Sequence, residues 1–142
     1  RWLGSAKSAR IVPLRVGTDM VLDTNILIYA TGPDGPKLHR WLADPDATVS
    51  VISRIETLGF YKITPEEKSA LTAMLATLPE LALNETVATT AIMLRQQRKM
   101  ALGDAVIAAT ALTHNLPLVT RNTQDFKHVA GLRLLDPFAT AT

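Results

Sequence analysis

From Met20 onward, short apolar runs alternate with longer stretches in which apolar residues recur at helical spacing, and that alternation admits few folds. It is the pattern of β-strands joined by helical crossovers, which calls for an α/β domain built on a parallel sheet with helices on its faces. Met20 to Leu22 is predicted as the first strand, and Ile26 to Ala30 begins the helix after it. Asp34-Gly35-Pro36 supplies a turn with proline near the first helical position, followed by Leu38, Trp41 and Leu42 on one helical side. Thr48 to Ile52 is β-branched and predicts the second strand, with Ser53 and Glu56 as an S-x-x-E capping box for a helix through Tyr61. Thr64-Pro65-Glu66-Glu67 repeats that start signal ahead of the stripe Leu71, Met74, Leu75 and Leu78. Further on, the pattern predicts a short edge strand over Leu81 to Leu83, a helix capped by Asn84 and running through Arg98, and a helix opened by Gly103-Asp104 that reaches about Thr113. Leu116 to Thr120 predicts a strand, Thr123 to Val129 a helical turn, and Leu132 to Leu135 the last strand.

Residues 1–19 lack clear periodicity, and Met20 stands directly before an apolar run, so the domain is expected to span 20–142 with 1–19 as an upstream extension. At 142 residues the chain is long enough for one domain with a substantial core. The absence of cysteine excludes disulfides, thiolate metal sites and cysteine nucleophiles, and fits a reducing, cytoplasmic setting. No apolar run approaches the roughly 20 residues needed to span a bilayer, so no membrane partner is expected. The pI near 9.2 invites a nucleic-acid reading. Yet Arg1, Lys7, Arg10 and Arg15 against Asp19 give the first nineteen residues +3 of the total +2, which leaves −1 for the remainder. Bulk charge is therefore no argument for nucleic acid, although a local basic patch can still hold phosphates.

Four acids, Asp23, Glu56, Asp104 and Asp125, lie far apart along the chain, each after a predicted strand or at a predicted helix start. A parallel α/β sheet gathers such positions along its carboxyl edge. Singly, each acid has a structural explanation: an Asx-turn for Asp23, a capping box for Glu56, a first-turn charge for Asp104 and for Asp125. Together at one edge they read as an oxygen-only site for a hard cation, Mg²⁺ or Mn²⁺ rather than Zn²⁺. Asp23 is the sharpest case, because Asp-Thr-Asn closes an apolar strand with three oxygen-bearing side chains. Phosphatases that form an aspartyl-phosphate need a second acid two positions on; Asn25 occupies that place, which disfavours the chemistry.

Four segments then carry a family resemblance: Val21-Leu22-Asp23-Thr24-Asn25, Val51 to Glu56, Gly103 to Ala109, and Leu118 to Phe126, with Gly131-Leu132 and Asp136-Pro137-Phe138 closing the chain. In that order they resemble the PIN-domain ribonucleases, specifically the VapC-type toxins of toxin–antitoxin pairs. The resemblance implies a three-layer fold with a central parallel sheet of about five strands flanked by helices. It also implies hydrolytic cleavage of RNA with one or two Mg²⁺ or Mn²⁺ ions held by acids. Asp23, Glu56 and Asp104 match the three core acids. Many relatives carry an acid where this chain has Asn122, and Asp125 is the choice here for the fourth carboxylate. Thr24, Asn25, Thr120, Arg121 and Asn122 are expected as substrate contacts, and the basic group Arg95, Arg98 and Lys99 could meet phosphates. His39, His114 and His128 fall outside any catalytic spacing.

The partners implied are an RNA substrate, a cognate antitoxin whose tail occupies the acidic groove, and a second copy in a homodimer, with helices 36–42 and 65–78 as candidate faces. Two rivals stand beside this reading. One is a non-catalytic module that keeps the fold for binding alone. The other is a different Mg²⁺-dependent phosphotransfer domain, weakened by Asn25 and by the lack of an adjacent acidic pair on the first strand.

Overall fold

The structure, a computed structural model, describes residues 8–12 and 19–139. Its strands and helices alternate as β1 (Arg10–Ile11), β2 (Met20–Leu22), α1 (Thr24–Ala30), α2 (Gly35–Leu42), β3 (Ala47–Ser50), α3 (Val51–Leu58), α4 (Pro65–Ala76), β4 (Glu80–Leu81), α5 (Glu85–Gln97), α6 (Leu102–Thr113), β5 (Leu118–Val119), α7 (Thr123–Phe126) and β6 (Arg133–Leu135). Every strand pairing among them is parallel, in the order β1-β6-β5-β2-β3-β4. The strand that carries Asp23 at its end is thus interior, flanked by β3 and β5.

Side chains alternate across the sheet and build two cores. Val21, Leu118 and Leu134 face α5 and α6, meeting Val87, Ala91, Leu94 and the run from Ala105 to Ala109. Met20, Leu22, Val49, Val119 and Leu135 face the other way, onto Ile26, Leu27, Leu38, Trp41 and Leu71. Helix α6 is buried through the whole stretch Ala105–Ala111, the mark of a helix enclosed by its own domain. Its alanines let it lie close to both the sheet and α5. The helix stops where Asn115 turns left-handed at φ 53°, with Leu116 N–H reaching Ala111 O at 2.8 Å and Asn115 N–H reaching Leu112 O at 3.1 Å.

Besides element ends that shift by a few residues, four differences from the sequence-based expectations bear on the site and its surroundings. The strand expected over Thr48 to Ile52 ends at Ser50, because the Ser50 hydroxyl accepts the Ile52 N–H at 3.2 Å and caps α3 three residues earlier than expected. Ser53 is consequently no cap but a wholly buried residue inside α3, and no Ser53–Glu56 capping box exists. The box at Thr64 and Glu67 does form. Third, the apolar sides of helices 36–42 and 65–78, expected as dimer faces, are turned inward: Leu38, Trp41, Leu71, Met74 and Leu75 all join the second core.

The fourth is an addition to the sheet from within the segment read as an extension. Residues 1–7 and 13–18 of it lie outside the described residues. Arg10–Ile11, however, pairs with β6 as an edge strand, making the sheet six-stranded among the described residues. Three backbone bonds hold it there: Ala9 N–H to Lys127 O at 3.0 Å, Arg10 N–H to Leu132 O at 2.9 Å and Val12 N–H to Leu134 O at 2.8 Å. Ile11 is 58% exposed, so the pairing rests on hydrogen bonds more than on apolar burial. Deleting residues 1–19 is therefore expected to lower stability by about 1–3 kcal/mol, at roughly 1 kcal/mol per bond, while the interior strands persist. Urea denaturation followed by far-UV circular dichroism checks this; a loss of the whole sheet would show that the arm carries more than an edge.

Candidate functional site

A helix that follows a parallel strand begins at the strand's carboxyl end, and so α1 and α3 start along one edge of this sheet; α6, which follows α5, has its first turn laid against Glu56 of α3 and so starts there too. Asp23 is set there as the residue between β2 and α1, extended at φ −65° and ψ 149° and only 2% exposed. Its backbone N–H donates to Val119 O at 2.9 Å. Its side chain is fixed from the same neighbouring strand: the Thr120 hydroxyl donates to Asp23 Oδ2 at 2.8 Å and accepts the Asn122 N–H at 3.0 Å. The second interaction orients the first, since a hydroxyl occupied as acceptor directs its one proton to the carboxylate.

Glu56 is held by a similar relay. Thr24 Oγ1 donates to Glu56 Oε1 at 2.7 Å, and Ser53 Oγ lies 2.8 Å from Thr24 Oγ1. With the Thr24 proton committed to the carboxylate, Ser53 is the donor of that pair. Ser53 and Glu56, one turn apart on α3, thus face α1 together. Asp104, half-buried in the first turn of α6, completes the group. Asp125, in the first turn of α7, joins it from the rim.

Electrostatics shows that these acids sense one another. Burial pushes the Asp23 carboxyl up to about 6; the Thr120 hydrogen bond opposes this, and the charges of Asp104 and Glu56 add to it. Burial likewise pushes Asp104 up to about 6, with Asp125 and Glu56 as the contributing charges. The four acids expected from the sequence are therefore brought to one edge, Asp23 innermost, Asp104 half-buried, Glu56 and Asp125 exposed. A cation there would relieve the repulsion. Among the described residues no three His, Asp or Glu side chains lie so as to form a metal site by themselves. Mg²⁺ does not need such a set, because it keeps several waters and is bound by one or two carboxylates together with substrate phosphates. The all-oxygen donor set and the open rim fit such an ion.

The remaining expected residues fall in different places. Thr24 and Thr120 are buried and direct their hydroxyls onto carboxylates. Asn25 is half-buried on α1, and Asn122 stands at the head of α7. Arg121 turns to Asp34 at 3.1 Å, its guanidinium 4.2 Å over the Phe138 ring and 5.2 Å over Tyr29. Arg95 donates to Met100 O at 3.2 Å. Arg98 and Lys99, by contrast, line a polar cleft of about 260 Å³ with Asp104, Gln124, Asp125 and His128. His128, set aside on spacing, thus shares a wall with two of the acids. Its Nε2 is buried without a partner among the described residues, and burial and then Arg98 hold it below the usual imidazole range. Ser53 was hidden in the sequence because its spacing to Glu56 also spells a cap.

The PIN domain family model matches residues 20–132, most of the chain and the span within which the four acids lie. The chain belongs to the PIN domain family. A chain from a toxin–antitoxin complex of Klebsiella pneumoniae is similar to it at 31% identity and a TM-score of 0.68, over 86% of this chain and 100% of that one. FitAcB from Neisseria gonorrhoeae is similar at 25% identity and a TM-score of 0.69, over 85% and 99% of the two chains. VapBC-1 from nontypeable Haemophilus influenzae shares the fold, with 22% identity, a TM-score of 0.71, and 86% and 100% covered. No curated protein matches the chain. PIN domains of this toxin group are generally nucleases. Among the described residues, no helix of this PIN domain is long and apolar enough to cross a membrane.

Raised carboxyls make a testable link to stability. Asp23 and Asp104 bind protons more tightly folded than unfolded, so their contribution is full below the ordinary value of 3.8 and is lost as pH rises through about 6. Metal-free protein is expected to melt at a lower temperature near neutral pH than near pH 4 to 5 from this source. Asp23→Asn should flatten that dependence, as read by scanning calorimetry across pH. An unchanged slope in the variant would show that Asp23 does not take part.

Proposed function

We propose that this PIN domain is a metal-dependent endoribonuclease and the toxin of a toxin–antitoxin pair. The observation that carries the reading is the gathering of four acids at one sheet edge, two with carboxyls pushed up to about 6, where Asp104 and Asp125 line a cleft together with Arg98 and Lys99. Carboxylates beside cations in one open cleft suit a phosphodiester: the basic wall takes phosphates, and the acids hold the metal. The similarity to a chain of a toxin–antitoxin complex supports the biological role.

In this proposal Asp23, Glu56, Asp104 and Asp125 hold Mg²⁺ or Mn²⁺. The bound ion supplies Lewis acidity at the scissile phosphate and lowers the pKa of a bound water. Everything else is done by the chain. Thr120 keeps the Asp23 carboxylate aimed along the sheet edge, and Ser53 and Thr24 hold Glu56 toward Asp104. Arg98 and Lys99 neutralise flanking phosphates and orient the strand. Asp125 rather than Asn122 fills the fourth place, because it is Asp125 that bears on Asp104 and lines the cleft.

An antitoxin would occupy the same groove, a basic side chain pairing with the acids. Ile55, next to Glu56 on α3, and Phe60 and Tyr61, just after that helix, are exposed and offer such a partner apolar purchase, while Ile92 and Met93 on α5 offer a separate face for a second copy of the chain. The observation favouring a non-catalytic binding module is that no three His, Asp or Glu side chains form a metal site by themselves among the described residues. Metal removal separates the two readings. Cleavage of single- and double-stranded RNA substrates is expected to vanish in EDTA and return with Mg²⁺ or Mn²⁺, and Asp104→Asn to abolish it with the fold intact. RNA cut by metal-stripped protein would exclude the mechanism.

The fourth acid has its own test. Asp125→Asn is expected to weaken Mn²⁺ binding and cleavage by about 10–100-fold, Asn122→Ala by much less, as read by titration calorimetry and gel-based cleavage. The reverse ranking would give the role to Asn122.

A further inference from the structure

Gly103 occupies the first turn of α6, immediately before Asp104, in a backbone conformation open to any residue. Glycine weakens a helix relative to alanine, so its presence there needs another reason. The reason lies on the neighbouring helix. The three atoms nearest to a Cβ at position 103 would all belong to the Glu56 carboxylate, with Cδ at 2.7 Å, Oε1 at 2.9 Å and Oε2 nearer still. Oε1 is the oxygen that accepts the Thr24 hydroxyl. Glu56 is thus held on one side by α1 and laid on the other against the bare backbone of α6.

We infer that Gly103 is a positioning residue: its missing side chain leaves the space in which the Glu56 carboxylate rests, fixing that acid between Thr24 and Asp104. A methyl group at 103 displaces the carboxylate rather than the fold, because Glu56 is exposed and the atoms in the way are the far end of a flexible side chain. The charge of Glu56 felt at Asp104 agrees with this seat. The inference rests on the metal-site reading for its functional consequence and on geometry alone for its structural one.

The test is a double-mutant cycle on Gly103→Ala and Glu56→Ala, with Mn²⁺ affinity from calorimetry, metal-free melting temperature, and the metal-free crystal structure of Gly103→Ala. Gly103→Ala is expected to melt no lower than wild type, to lose about 10–100-fold in Mn²⁺ affinity, and to show Glu56 swung away from Thr24. In the Glu56→Ala background the same substitution is expected to cost no further affinity. Wild-type affinity with Glu56 still against Thr24 would overturn the inference, and so would an equal loss in both backgrounds. If wild-type protein bound no Mn²⁺, the metal reading would fail by itself, and the position of Glu56 in the crystal would still decide the role of Gly103.

Discussion

Burying the Asp23 carboxylate at the end of an interior strand is the constraint on which the rest of the site depends. A charge so withdrawn from water is costly unless it is hydrogen-bonded and paired. The chain supplies a hydrogen bond from the end of β5, through Thr120, and among the described residues no cationic side chain pairs with the carboxylate. That partial compensation explains why the carboxyl stands near 6 and not near its ordinary value. It also explains why Thr120 is hydroxyl-bearing and buried: it is the internal donor that a partly compensated acid requires, as Thr24 is for Glu56.

From Asp23 outward the acids become more exposed, and their supports change accordingly. Glu56 is tied by side-chain hydroxyls, Asp104 by its place in a helix first turn, and Asp125 by a short helix at the rim. Helices α1, α3 and α6 aim their amino ends at this edge, so their dipoles favour negative charge there. The basic residues are set apart on the cleft wall. Arg121, adjacent in sequence, is instead stacked on Phe138 and paired with Asp34, where it ties the chain's closing segment to the α1–α2 turn. Proximity along the chain and orientation in space are separate matters for so long a side chain.

Much of the fold was legible because its signals are local. The Thr64 capping box, the Asn84 cap and the apolar stripes of the long helices each depend on residues within a turn or two. The edge that gathers the four acids followed from strand–helix alternation alone. What escaped depends on distant partners or on competing local signals. Ser50 and Ser53 both offer a hydroxyl near the start of α3, and only tertiary contact with Thr24 decides which one caps and which one supports Glu56. Strand β1 is two residues long and gains its identity from β6, more than a hundred residues later. His128 reached the cleft through the turn after α7, which no catalytic spacing encodes.

The hydrogen bond between Thr120 and Asp23 spans 97 positions of sequence. During synthesis, strand β2 leaves the ribosome long before β5 exists, and a parallel pairing of this separation cannot form until the intervening helices have emerged. Every acid but Asp125 is by then already outside. The nascent polypeptide therefore carries three of the four acids before the strand that fixes Asp23 has formed. Asp23 in the growing chain therefore stays without its Thr120 partner, and without the strand that flanks it on that side, until β5 has been made.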